Sequence, residues 1–168
     1  MRTGIIFNNH MNDFSWPGTD LQDGYPPSPA NYIQPGKRPM SSMSPTVVAD
    51  GQGRPKFVLG ASGGKKIISA VAQVLAQLLW NSPPSDVVYA ARDPRVHHQL
   101  TPPVLYVEKL MDQDVVDGLR ARGHEVKVVE KMAMLHGLQA DCSWGPIQKE
   151  ACILAVSDWR RGGEPQGV

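Results

Sequence analysis

The sequence predicts a layered α/β domain, and three observations point there. Apolar runs at Thr46 to Ala49 and Phe57 to Leu59 flank Asp50-Gly51-Gln52-Gly53, a hairpin-turn composition. A strongly helical run, Ile67 to Trp80, comes next. Strand-like runs at Val104 to Val107, Glu125 to Val129 and Ala151 to Val156 then follow, with a helical pattern between the first two. With 168 residues the chain suits one domain with a sizeable core.

Each element has a local reason. Residues 16 to 39 are rich in proline and glycine and exclude regular helix or central strand. They read as a long ordered loop, with Trp16, Tyr25, Tyr32 and Ile33 as apolar anchors. The alternative is a disordered linker. Ile67 to Leu79 is apolar all round, interrupted at Ser69, Gln73 and Gln77, which predicts a largely buried helix ended by Pro83-Pro84. Ser85 is placed to cap a short helix through Ala91, stopped by Asp93-Pro94. Asp112 to Arg122 is amphipathic and closes at Gly123.

Composition excludes several classes. A net charge of +1 points neither to nucleic acid nor to an anionic membrane surface. No apolar run approaches the roughly 20 residues needed to span a bilayer. The first residues, Met1 to Asn8, lack a signal-peptide core. Cys142 and Cys152 form neither a metal pattern nor a disulfide framework and read as buried free thiols.

The richest chemistry lies in Gly60-Ala61-Ser62-Gly63-Gly64-Lys65-Lys66, between strand-like and helical segments. Glycines there let backbone N–H groups approach a ligand, and a helix N-terminus adds donors and a positive dipole end. Such a turn suits a bound anion or an oxyanion. The phosphate-loop pattern fails: three residues, not four, separate Gly60 from Gly64, and Lys66 replaces the hydroxyl residue. The plainer reading is close packing of helix on strand. Upstream, Asp13 can accept hydrogen bonds from an ammonium group, and Ser41 with Ser42 can donate to a carboxylate. Together with the glycine turn they suit a zwitterionic amino-acid group beside a reacting carbonyl. Turn chemistry by Asn, Asp and Ser is the alternative.

These motifs occur in an ordered set: Gly4 to Phe14, Pro27 to Asn31, Pro35 to Thr46, Leu59 to Gly64, Asp93 to Leu100 and Ser157 to Gly163. The set resembles the small subunit of gamma-glutamyltransferases, also called gamma-glutamyl transpeptidases or glutathione hydrolases. The resemblance covers nearly the whole chain. It implies that residues 1 to 168 are a partial domain, part of an N-terminal-nucleophile hydrolase αββα sandwich lacking its first strands and the large subunit. It implies cleavage of the gamma-glutamyl bond of glutathione and transfer to water, amino acids or peptides. The nucleophile is a threonine freed at the small subunit's N-terminus, with its own amine as base.

Carried over by position, the resemblance makes Gly63 and Gly64 the oxyanion hole. Ser41 and Ser42 hold the substrate carboxylate, and Asp13 holds its ammonium. His10 stands where the family usually has Glu or Gln; a neutral imidazole accepts one hydrogen bond, a protonated one repels the ammonium. The nucleophilic threonine belongs upstream of Gly4, and Thr3 does not replace it. The chain alone is therefore expected to be inactive. Its expected partners are the large subunit or an equivalent upstream segment, and gamma-glutamyl compounds, without a cofactor. Family members are typically at the outer face of the plasma membrane, or periplasmic or secreted in bacteria. The competing expectation is a catalytically dead light-chain-like protein that binds a partner chain or gamma-glutamyl ligands.

Overall fold

A computed structural model describes residues 3–19, 25–81, 85–140 and 153–166. The chain divides into two compact units, Met1–Ser41 and Ser42–Val168. Cys142, Cys152 and the Pro83-Pro84 stop lie outside the described residues.

The first unit is built on irregular backbone. His10–Asp13 and Pro29–Asn31 form single 3-10 turns, and Ser15 bridges Tyr32. Of the expected anchors, Trp16, Tyr25 and Ile33 are exposed, while Tyr32 is half-buried. Phe14, Ser15 and Asn31 are buried instead. A buried Asn amide can satisfy several backbone groups at once, which a loop without a ladder requires.

The second unit contains strands β1 (Thr46–Ala49), β2 (Pro55–Ser62), β3 (Val96–His97), β4 (Val104–Glu108), β5 (Glu125–Val129), β6 (Met134–Ala140) and β7 (Ile153–Ser157). Its helices are α1 (Lys66–Trp80), α2 (Val87–Arg92) and α3 (Gln113–Ala121). Strands β1-β2-β6-β7 form an antiparallel sheet of four. Strands β3-β4-β5 form a sheet of three, with β4 and β5 parallel across α3. The expected hairpin is present: Asp50 Oδ1 accepts from Gln52 N at 2.8 Å and Arg54 N at 3.0 Å. These backbone donors and the Arg54 guanidinium hold the Asp50 carboxyl below its ordinary range.

Several expectations need correction. Gly60 and Ala61 are not in the turn; they continue β2 and pair with His136 and Leu135. Helix α1 is one-sided rather than buried all round. Ile67, Ala70, Val71, Val74 and Leu78 face the core, while Ile68, Leu79 and Trp80 are exposed. Asp86, not Ser85, caps α2, its carboxylate accepting from Val88 N and Tyr89 N. A carboxylate outranks the hydroxyl here because it accepts both donors and sits at the positive dipole end. Strand β6 is an addition: its inward residues are Leu135, Gly137 and Gln139.

The main core joins α1 and α2 to one face of the larger sheet through Phe57, Leu59, Val74, Val87 and Leu135. Gly137 permits this approach, since a Cβ there would meet Val87 Cγ2 at 2.7 Å and Leu59 Cδ2 at 3.0 Å. The opposite face of the same sheet leaves apolar side chains exposed among the described residues. Val47, Val58 and Leu138 line up across β1, β2 and β6 and are exposed, as is Ile153 on β7. No helix among the described residues is long and apolar enough to cross a membrane.

Candidate active site: an open glycine turn and its supports

Strand β2 ends at Ser62 and α1 begins at Lys66, so Gly63 and Gly64 lie in the turn between them. Their carbonyls accept from Lys66 N at 3.3 Å and Ile67 N at 3.0 Å, which starts the helix. Both glycines are exposed, and among the described residues neither N–H donates a hydrogen bond. Lys65 stands at the N-cap position and supplies no capping side chain. The turn therefore presents backbone donors at the positive end of a 15-residue helix.

Both glycines have positive φ, and Gly63 is needed for space besides. Gly63 has φ 141°, and a Cβ there would lie 2.8 Å from Ala133 Cα. Gly64 has φ 60°, with nothing within 4 Å of an added Cβ. Close packing thus accounts for Gly63 and not for Gly64, whose requirement is the left-handed backbone.

His10 and Asp13 occupy the two ends of one 3-10 turn, and both are exposed. The Asn31 amide nitrogen donates to the Asp13 carbonyl at 2.8 Å and to Ser15 Oγ at 3.3 Å. Its amide oxygen accepts from Met40 N at 2.8 Å. Asn31 thereby ties the Asp13 segment to the residue preceding Ser41. Its supporting role went unread in the sequence, where Pro29-Ala30-Asn31 looks like loop composition. Ser41 closes the first unit and is exposed; Ser42 opens the second and is half-buried. The structure thus joins His10 with Asp13, and Gly63 with Gly64, each pair within its own unit.

Ala133, which touches Gly63, belongs to a segment held by buried charges. Arg95, Glu108, Asp158 and Arg160 are each at most 3% exposed. Arg95 donates to the Ala133 carbonyl at 2.5 Å and pairs with Asp158 at 2.9 Å. Asp158 accepts from Leu135 N at 2.9 Å and pairs with Arg160 at 3.0 Å. Arg160 forks onto both oxygens of Glu108, and Glu108 accepts from Met132 N at 2.7 Å. Burial alone would raise the Asp158 carboxyl, but the backbone N–H groups of Leu135 and Arg160, with the Arg95 guanidinium, hold it below its ordinary range. Burial pushes Arg160 down, and its bonds to Glu108 and Asp158 more than offset that. Burial and the Arg160 charge lower Arg95. A paired, hydrogen-bonded set of two cations and two anions is the arrangement that burial permits.

An open cleft of about 580 Å³ lies on the exposed apolar face of the sheet, lined in part by Val58, Gly60, His136, Leu138 and Ser157. It contains none of the glycine-turn donors, and the chemistry above does not depend on it.

A family model described as gamma-glutamyltranspeptidase matches residues 1–168. The chain belongs to the gamma-glutamyltranspeptidase family. It is 44% identical over 124 residues to a glutathione hydrolase proenzyme of Arthroderma benhamiae, covering 74% of this chain and 21% of that protein. It is 35% identical over 168 residues to a scoloptoxin of Scolopendra dehaani, covering 98% of this chain and 80% of that one. Among solved structures it resembles a mutant of Helicobacter pylori gamma-glutamyltranspeptidase, with TM-score 0.77 and 33% identity, covering 94% of this chain and 82% of that chain. The fold is thus the mixed α/β fold of gamma-glutamyltranspeptidases. The chain spans about a fifth to a quarter of the length of several glutathione hydrolases and related proteins that it matches.

Proposed function

We propose that this chain supplies the substrate-binding and oxyanion-stabilising part of a gamma-glutamyl transfer site. The observation that carries the reading is the pair of open N–H donors at Gly63 and Gly64, at the start of α1, in a chain of this family. In this reading an upstream threonine hydroxyl passes its proton to that threonine's own α-amine and attacks the gamma-glutamyl carbonyl carbon. The carbonyl electron pair moves to oxygen, and that oxyanion accepts from Gly63 N–H and Gly64 N–H. Collapse expels the amine, which takes up a proton, and leaves an acyl-threonine ester. Water or an amino-acid amine then attacks the ester. Asp13 and His10 receive the substrate ammonium; Ser41 and Ser42 donate to its carboxylate. One oxyanion donor of this kind is worth roughly 2.7–4 kcal/mol in the transition state.

The nucleophile then comes from a small-subunit segment upstream of Gly4, and a large subunit or equivalent segment completes the αββα sandwich. The face of the β1-β2-β6-β7 sheet with Val47, Val58, Leu138 and Ile153 exposed supports such a covering partner. The test is hydrolysis of a chromogenic gamma-glutamyl anilide. The chain alone should show none, and the chain assembled with that segment should turn over. Activity of the chain alone above a heat-treated control, or an inert assembly, would sink the reading.

A second reading has one observation in its favour: a scoloptoxin relative of which this chain covers 80%. On that reading the protein is a light-chain-like binder of a partner or of gamma-glutamyl ligands, without catalysis. An in-frame threonine and large-subunit sequence upstream of Met1 in the transcript decides for the enzyme.

A further inference from the structure

We infer that the buried Arg95–Asp158–Arg160–Glu108 cluster is a positioning device for the Gly63-Gly64 turn, acting through the backbone of Met132 to Leu135. Three backbone atoms of this four-residue stretch are each held by a different member of the cluster. Glu108 accepts from Met132 N, Arg95 donates to Ala133 O, and Asp158 accepts from Leu135 N. Ala133 is completely buried, and its Cα is the atom that an added Gly63 Cβ would strike. The wall beside Gly63 is therefore backbone fixed on both sides rather than a side chain free to yield.

The geometry demands this stiffness. A turn whose glycines have φ 141° and 60° is not held by its own residues' preferences. Its N–H groups have no acceptor among the described residues, so no internal bond orients them. What remains is the strand before, the helix after, and the Ala133 wall. Displacing catalytic donors by a fraction of an ångström costs rate rather than substrate affinity. The cluster also explains why distant parts of the sequence converge. Arg95 lies beside α2, Glu108 ends β4, and Asp158 and Arg160 follow β7. All four meet in one hydrogen-bonded group, whose other bonds go to the Ala91 and Asp93 carbonyls.

The inference rests on the oxyanion role proposed for Gly63 and Gly64, so its test has one arm that needs no activity. Arg95→Lys keeps the cluster's charge and loses the planar fork that reaches Ala133 O, Ala91 O and Asp158 together. The variant is made in the chain assembled with its upstream segment and labelled with ¹⁵N-glycine. The Gly63 and Gly64 amide resonances should shift or split, while those of Gly118 and Gly123 in and after α3 stay in place. In the anilide assay kcat should fall about tenfold or more, with KM within about twofold. Should Arg95→Lys not fold, Glu108→Gln, whose amide NH₂ replaces one of the two oxygens that accept from Met132 N, Arg95 N and Arg160, is read in the same way. Unmoved Gly63 and Gly64 resonances in a folded variant overturn the inference. So does an unchanged kcat in an assembly whose parent is active. Moved resonances in an assembly whose parent is inert uphold the structural coupling, and the failure then belongs to the proposed function.

Discussion

Asn31 donates its amide N–H to the Asp13 carbonyl at 2.8 Å, across 18 residues of chain. With the bond from Met40 N to its oxygen, one buried side chain holds together two stretches that carry proposed substrate contacts. Asn31→Ala leaves the Asp13 carbonyl and the Met40 N–H without this partner, at a cost of about 0.5–1.5 kcal/mol for each hydrogen bond lost. The expected result is lower stability in denaturant, and a KM for the gamma-glutamyl anilide raised more than kcat is lowered. Unchanged stability and KM would remove Asn31 from this role.

The two turn glycines should respond differently to alanine. Gly64→Ala meets no neighbour and places Ala in the left-handed region, costing roughly 1–2 kcal/mol. If its N–H faces the oxyanion, turnover drops by about 100-fold or more. Gly63→Ala drives a methyl into Ala133 backbone, costing roughly 1–3 kcal/mol through overpacking. Melting temperature and turnover per folded molecule, taken on one preparation, separate the two. A Gly64→Ala protein with near-normal turnover would leave the turn as architecture alone.

Replacing Ser41 and Ser42 together by alanine should weaken substrate binding, since a hydrogen bond to a charged carboxylate is worth roughly 1.5–3 kcal/mol. A melting temperature that falls while affinity holds would instead mark the two serines as turn residues. Apparent affinity for glutathione equal to the parent's would refute the assignment.

Asp158 gives a pH prediction with a definite sign. Its folded carboxyl is held below the ordinary 3.8, so the stability it contributes is complete above that value. It is lost as pH falls through the lower folded value. Asp158→Asn should be less stable at neutral pH and show a shallower loss of stability below about pH 4. Urea midpoints across acid pH measure this; parallel curves for parent and variant would count against it.

Much of this was legible in the sequence because local rules and tertiary needs agreed. The Asp50–Gly53 turn has its Asx bonds, and Gly123 follows α3 as expected, although Asp112 caps that helix rather than opening it. Strand β6 was hidden because its pattern is scrambled. Glycine and glutamine, Gly137 and Gln139, point inward with Leu135, while Leu138 points out. Gln139 is there to accept from Val87 N at 2.9 Å, a contact 52 residues away that no local pattern announces. Strand β3 has two residues, too few for any period to appear. In the site, the glycine turn was visible as composition. The Ala133 wall and Glu108 were not, because a small residue and a strand-end carboxylate acquire meaning only from what folds against them.

The bond from Met132 N to Glu108 has an architectural consequence. Together with Lys109 N donating to Val129 O at 2.9 Å, it fastens the stem of the excursion from residue 109 to 131. That excursion carries α3 and β5, and its distal tip lies at Arg122 and Gly123, between the two elements. Length can be added at the tip without being felt at the stem, since lengthening a flexible loop costs little. A small domain grafted between Arg122 and Gly123 should leave KM and kcat of the assembled protein near parental values, and a graft that destroyed them would show that the stem transmits strain. If it holds, this excursion is where new binding surfaces can be appended while the chemistry is left alone.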